Sequence, residues 1–109
     1  MEHFGTLIAS YAATGISDES VVESWCAAHP MSVDGWIGLA EYIGAAFLDH
    51  RITYEVANGL MNELMPIAGW NAAPKRFWEY YIAFEDGEVL EEPDEFVRKA
   101  VMAVAKGAA

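Results

Sequence analysis

Trp36-Ile37-Gly38-Leu39-Ala40-Glu41-Tyr42-Ile43-Gly44-Ala45-Ala46-Phe47-Leu48 is the stretch that decides the fold. On a helical wheel it is apolar nearly all the way round, with Glu41 its one charged residue. A helix of that make-up belongs in the middle of a protein rather than on one side of it. Gly38, Ala40, Ala45 and Ala46 let other helices approach closely, and Trp36, Tyr42, Ile43, Phe47 and Leu48 fill the space around them. The residues before it carry the signals of a helix start. Ser32 is the cap, Asp34 lies in the first turn where the helix dipole favours an acid, and Met31 is placed to staple onto Trp36. Asp49-His50-Arg51 is the polar break that follows. Residues 32–49 are therefore read as a buried central helix wrapped by the rest of the chain.

Upstream, Phe4, Leu7, Ile8 and Tyr11 recur at helical spacing and Gly15 stands where a C-terminal cap belongs, which predicts a first helix over residues 2–14. Ser17 caps a second helix, with Asp18 and Glu19 in its first turn and Ile16 stapled to Val21. Val21, Val22, Trp25, Cys26 and His29 form its apolar face, and Pro30 stops it, having no N–H to continue the ladder.

Downstream, Thr53 caps a fourth helix, with Glu55 in its first turn. Val56, Leu60 and Leu64 make one stripe, Ala57, Met61 and Met65 the next, and Pro66 and Gly69 end it. The residues from Gly69 to Ala73 form a loop. Pro74 suits the first position of a fifth helix carrying Phe77, Trp78, Tyr80, Tyr81, Ile82 and Phe84. That aromatic run also suits a strand, because Asp86-Gly87 is a hairpin turn signal. The helix is preferred, since Val89-Leu90-Glu91-Glu92-Pro93 makes a poor returning strand. Pro93 opens a last helix with Asp94 and Glu95 in its first turn, Lys99 and Lys106 nearer its end, and Phe96, Val97, Ala100, Val101 and Val104 on its apolar face. With no repeat, low-complexity tract or linker, the expectation is all-α: one domain over residues 1–109, a compact bundle of five or six short helices around 32–49.

Composition narrows the function classes. The chain is 54 % hydrophobic, above the usual ~45–50 %, so disorder is excluded as its overall state. Six Lys and Arg face seventeen Asp and Glu, a net charge of −11. Such a chain is repelled by nucleic-acid phosphates and by anionic membrane surfaces, and is drawn towards basic partners. Met1-Glu2-His3-Phe4 has no basic patch followed by an apolar run and no apolar run is long enough to span a membrane, so neither a secretory signal nor a transmembrane helix is expected. Cys26 is the only cysteine, so no internal disulfide forms, which fits a reducing compartment and a cytoplasmic protein.

No residue pattern carries catalysis. Cys26 and His29, at i and i+3, share a helix face, but a zinc site wants three or four protein ligands and His3 and His50 would have to come from elsewhere. A thiol late in a helix, in apolar and acidic surroundings, has its pKa raised rather than lowered, which opposes a nucleophile role for Cys26. Asp49-His50 has the make-up of a proton relay, yet Arg51 beside it reads as an ordinary solvated loop. The glycines at 35, 38 and 44 lie in or at the start of a helix, so they form no phosphate cradle. Asp86-Gly87-Glu88 lacks the further oxygen ligands of a calcium loop. No catalytic residue, metal or cofactor is expected, and an enzyme is the lesser reading.

The informative stretch is Glu79 to Glu95, with eight acids and no Lys or Arg, overlapping the aromatics at 77, 78, 80, 81 and 84. Negative charge for steering beside amphipathic rings for anchoring is what an interface for a basic partner uses. Glu85, Asp86, Glu88, Glu91 and Glu92 are the steering candidates, and Trp70, Trp78 and Tyr81 the anchors. The plainer alternative is a solvated loop whose aromatics serve the core. The leading expectation is a small acidic non-enzymatic protein docking on a basic protein, in the manner of an inhibitor, immunity-type or adaptor protein. Two rivals stand beside it. One is a homodimer that covers Met61, Met65, Trp70 and the last helix. The other is a small ligand-binding or enzymatic helical domain using Cys26, His29 or His50.

Overall fold

A computed structural model describes residues 3–14 and 19–107, and among them every regular element is helical. In chain order these are α1 (Phe4–Thr14), α2 (Glu19–Ala28), α3 (Val33–Leu48), α4 (Tyr54–Ala68), α5 (Lys75–Glu85), a single 3-10 turn (Asp86–Val89) and α6 (Pro93–Ala105). The expected all-α bundle is what the chain forms, with six α-helices among the described residues where five or six were expected. The signals assigned to Gly15, Ile16, Ser17 and Asp18 lie outside the described residues.

The helix starts follow local chemistry. Ser32 Oγ accepts from the Gly35 N–H at 3.2 Å, and Thr53 Oγ1 from the Val56 N–H at 3.2 Å. Pro93 opens α6 with Asp94 and Glu95 in its first turn. Pro74 stands one place earlier than expected, as the extended residue before α5 (φ −60°, ψ 149°).

One helix end differs from the reading of the sequence, and one falls where expected but closes in an unusual way. Pro66 does not end α4: the helix runs on to Ala68, because in a last turn the missing N–H removes a single bond, and Gly69 at φ 100° ends it. After α3, the Arg51 N–H bonds Ala46 O at 2.9 Å and the His50 N–H bonds Phe47 O at 3.1 Å, with His50 in the left-handed region at φ 61°. This paired closure normally employs glycine at that position. His50→Gly is therefore expected to stabilise the protein by about 1 kcal/mol, read as a higher urea midpoint; an unchanged or lower midpoint would show that His50 bears no strain.

α3 lies against α4, α5 and α6, and buries Leu39, Ala40, Ile43, Gly44, Ala46 and Phe47. It is central without being enclosed. Asp34, Glu41 and Ala45 reach solvent along one strip, since the three helices packed on it do not close around it. α5 shares the central position, touching α3, α4, α6 and the 3-10 turn. α1 and α2 pack on each other and on α4.

Two arginines tie helix ends together. Arg98 reaches Asp94 Oδ2 at 2.6 Å and Phe47 O at 2.6 Å, with its guanidinium 4.2 Å from the Phe47 ring centroid. Arg76 donates to Val104 O at 2.5 Å and to Glu41 Oε2 at 3.2 Å. Both carbonyls already accept a backbone N–H, and a cation at a helix C-terminus adds a second, charge-assisted bond that the helix dipole favours.

Candidate partner-binding surface

The loop after α4 brings the expected aromatic residues together. Gly69 takes a positive φ, and its carbonyl accepts from the Ala72 and Ala73 N–H groups at 3.0 and 2.8 Å. This tight turn sets Trp70 against α5, with its ring centroid 6.0 Å from Trp78 and 5.7 Å from Tyr81; Trp78 and Tyr81 meet edge-on at 5.5 Å. Their exposures differ. Trp70 is 51 % exposed, Trp78 is half-buried and Tyr81 is 5 % exposed. Trp70 is thus the ring presented to solvent, and Tyr81 supports it from beneath.

From Tyr81 the surface turns acidic. The Tyr81 hydroxyl donates to Glu85 Oε2 at 2.5 Å, and burial followed by this bond holds its pKa well above the ordinary tyrosine range. Glu88 accepts from Asn58 Nδ2 and Asn62 Nδ2, each at 2.8 Å, which fastens the 3-10 turn to α4. Asp86, Glu91 and Glu92 are exposed.

The eight acids between Glu79 and Glu95 divide into two groups. Glu79 faces Arg76 at 3.8 Å, Asp94 faces Arg98 at 2.6 Å and Glu95 faces Lys99 at 3.7 Å. Among the described residues, Glu85, Asp86, Glu88, Glu91 and Glu92 have no cation partner. The surface therefore runs from the Trp70 ring through Tyr81 to Glu85 and Glu88 at the end of the α4–α5 seam, with the exposed Asp86, Glu91 and Glu92 beside them in the chain.

Beneath that cluster lies Tyr54, whose hydroxyl donates to Phe84 O at 2.8 Å. Burial first, then Glu88, Glu55 and Glu85, push its pKa up to about 12. The folded protein thus favours the neutral phenol more than the unfolded chain does. The resulting stability is complete below the ordinary tyrosine pKa of ~10 and is lost as pH rises through the folded value. The urea midpoint is expected to fall between pH ~10 and ~12, and less steeply in Tyr54→Phe; parallel curves for the two proteins would refute the assignment.

The remaining candidates are placed elsewhere. Burial pushes the half-buried Cys26 thiol up to about 11, so it is protonated at neutral pH. His29 Nδ1 lies 2.9 Å from Trp25 O, and its ring stacks on Trp25 at 4.5 Å, which places it at the closing turn of α2. His50 occupies the turn after α3. Among the described residues, no three of His, Cys, Asp and Glu are grouped to hold a metal ion. Met61 and Met65 are fully buried, so the apolar surface expected of them for dimerisation is not there. Their stripe faces the core because α4 is covered by α1, α2, α3 and α5.

The sequence reading missed a groove between α5 and α6 of about 440 Å³, lined by Trp78, Ile82, Ala83, Ala100, Ala103 and Val104, with Lys75 and Glu79 at its sides. The signal lay in Ile82, a large apolar residue off the buried stripe of α5.

The fold and this surface define a class: a small all-α bundle with a strong acidic surplus. No family model, no curated protein and no solved structure matches the chain. Among the described residues no helix is long and apolar enough to cross a membrane.

Proposed function

We propose that this chain is a cytoplasmic, non-enzymatic binding protein that docks on a basic protein surface. The observation supporting this reading is the sorting of charge described above: five carboxylates without a cation partner, the first of which, Glu85, bonds the Tyr81 that lies under a tryptophan ring 51 % exposed. Unpaired acids at a rim steer a basic partner into encounter, and a large ring near them supplies contact area that slows dissociation. Glu85 and Glu88 also brace the surface through Tyr81, Asn58 and Asn62, while Asp86, Glu91 and Glu92 are free to face the partner.

The test is affinity capture from the native cell with the tagged chain at low and high salt, followed by association kinetics with the captured protein. A basic protein retained at low salt and released at high salt is the expected result, since surface charges are screened over ~10 Å at 0.1 M salt. Asp86→Lys, Glu91→Lys and Glu92→Lys together should slow association about tenfold or more, and Trp70→Ala should speed dissociation. Equal capture by the triple variant would remove this surface from the function.

A further inference from the structure

The charge on the other side of α5 is unlike that of the rest of the molecule. All three lysines of the chain, Lys75, Lys99 and Lys106, line the α5–α6 groove or the adjoining hollow over α6, although the net charge is −11. Three large apolar side chains stand in solvent on these two helices: Ile82 at 41 %, Phe96 at 51 % and Met102 at 44 % exposure. Ala100 and Ala103 leave the α6 backbone open to close approach by another helix. α6 is also charged in opposite senses at its two ends. Glu91, Glu92, Asp94 and Glu95 stand at its start, and Lys99 and Lys106 follow. Asp94 and Glu95 are answered by Arg98 and Lys99 on the same helix. Lys75, Lys106, Glu91 and Glu92 have no ion pair among the described residues.

We propose that this face is a two-fold interface with a second copy of the chain, α6 packing antiparallel on α6. At ~100° per residue, Phe96, Lys99, Ala103 and Lys106 fall in one outward stripe with spacings of three and four, and Glu92 is the residue that precedes the helix at the start of that stripe. A two-fold axis passing between Lys99 and Ala100 sets Phe96 opposite Ala103 of the second copy, and Lys106 opposite the start of the second α6, where Glu92 stands. The Phe96 ring then enters the second copy's groove over Ala100 and Ala103, walled by Trp78 and Ile82, and the same contact is made twice. Each Lys99 comes to the axis already paired with Glu95 at 3.7 Å, so two neutralised pairs meet there. A foreign acidic protein would satisfy the lysines alone. The second copy is favoured because the acid, the ring, the small residues and the lysine lie on one stripe at mirrored spacing, which makes the face complementary to itself. This interface shares Glu92 with the acidic surface and leaves Trp70, Glu85, Asp86 and Glu88 outside it, so a dimer would display two copies of the remainder of that surface.

Sedimentation equilibrium of the full chain decides the matter. The mass is expected to rise with concentration from 12.0 kDa to twice that value. Phe96→Ala should raise the dissociation constant about tenfold or more. Lys106→Glu alone and Glu92→Lys alone should each sediment as monomers, because each sets like charges opposite one another twice. Mixed in equal amounts they should pair, because each mismatched charge then finds its opposite. Far-UV circular dichroism confirms that each variant is folded. A wild-type chain that stays monomeric up to near-millimolar concentration overturns the proposal. So does a dimer indifferent to all three variants, or a charge-reversed mixture that remains monomeric.

Discussion

Replacing Phe47 by Ala is expected to cost about 3–5 kcal/mol of folding stability. Phe47 has no exposed surface, and it is where several elements meet. Its ring packs edge-on against Phe84 at 5.3 Å and Tyr54 at 6.5 Å, joining α3 to α5 and α4. Arg98 of α6 covers the ring face while donating to the Phe47 carbonyl. Removing the ring loses its transfer free energy and leaves a cavity among side chains fixed by other contacts. Tyr54 is held by its bond to Phe84 O, and Arg98 by Asp94. Neither can collapse into the space without giving up a hydrogen bond, which places the cost towards the upper end of the range for such truncations. A domain of this size is stable by about 5–15 kcal/mol, so a large part of that margin would go. Phe47→Leu keeps most of the volume and should cost about 1–2 kcal/mol. Chemical denaturation followed by circular dichroism reads both. A loss under ~1 kcal/mol for Phe47→Ala would mean that the ring is not the junction described here.

The parts of this structure that could be read in advance are those fixed within a few residues. Ser32 and Thr53 cap because a short side-chain oxygen reaches an N–H three residues on, and Pro93 opens α6 because its φ already suits a helix. The five uncompensated acids were legible for the same reason. Glu79, Asp94 and Glu95 have cations three or four residues away on their own helices, while the other five acids have no Lys or Arg within that reach in the chain; Arg76 also reaches Glu41, 35 residues off, which no local spacing announces. What was not legible depends on which helix covers which. The apolar wheel of residues 36–48 implied enclosure, yet the number and placement of neighbours decided that Glu41 and Ala45 face water. Tyr81 read as an anchor like Trp78, but it lies beneath Trp70 because the Gly69 turn folds that ring over it. The α5–α6 groove depends on how two consecutive helices pack, and its one trace in the sequence was Ile82, off the buried stripe of α5.

The close-approach residue of α3 makes the same point and gives the sharpest test of the packing. Ala45 appeared as suitable as its neighbours for letting a helix come near, but it faces solvent; one step along the chain turns the side chain by ~100°. The position that matters is Gly44. A Cβ built there would stand 2.6 Å from Cε1 and 3.1 Å from Cδ1 of Tyr80, and 3.4 Å from Cγ1 of Val101. Tyr80 is 2 % exposed, so its ring has no solvent to move into. In the interior of a helix Ala is preferred to Gly by about 1 kcal/mol, and on an exposed face Gly44→Ala would stabilise. Here overpacking costs of 1–3 kcal/mol or more oppose that gain. The clash lies at the tight end, against a buried ring rather than a flexible tip. The expected outcome is a net loss of about 2 kcal/mol, the reverse of what propensity alone predicts. The mechanism is isolated by repeating the change in a Tyr80→Leu background, where the ring is gone. There Gly44→Ala should be close to neutral or stabilising, giving a coupling energy of about 2 kcal/mol between positions on α3 and α5. If Gly44→Ala stabilises the wild-type chain, α3 and α5 are not as close as 2.6 Å implies, and the seam on which α5 sits beside the central helix would have to be redrawn.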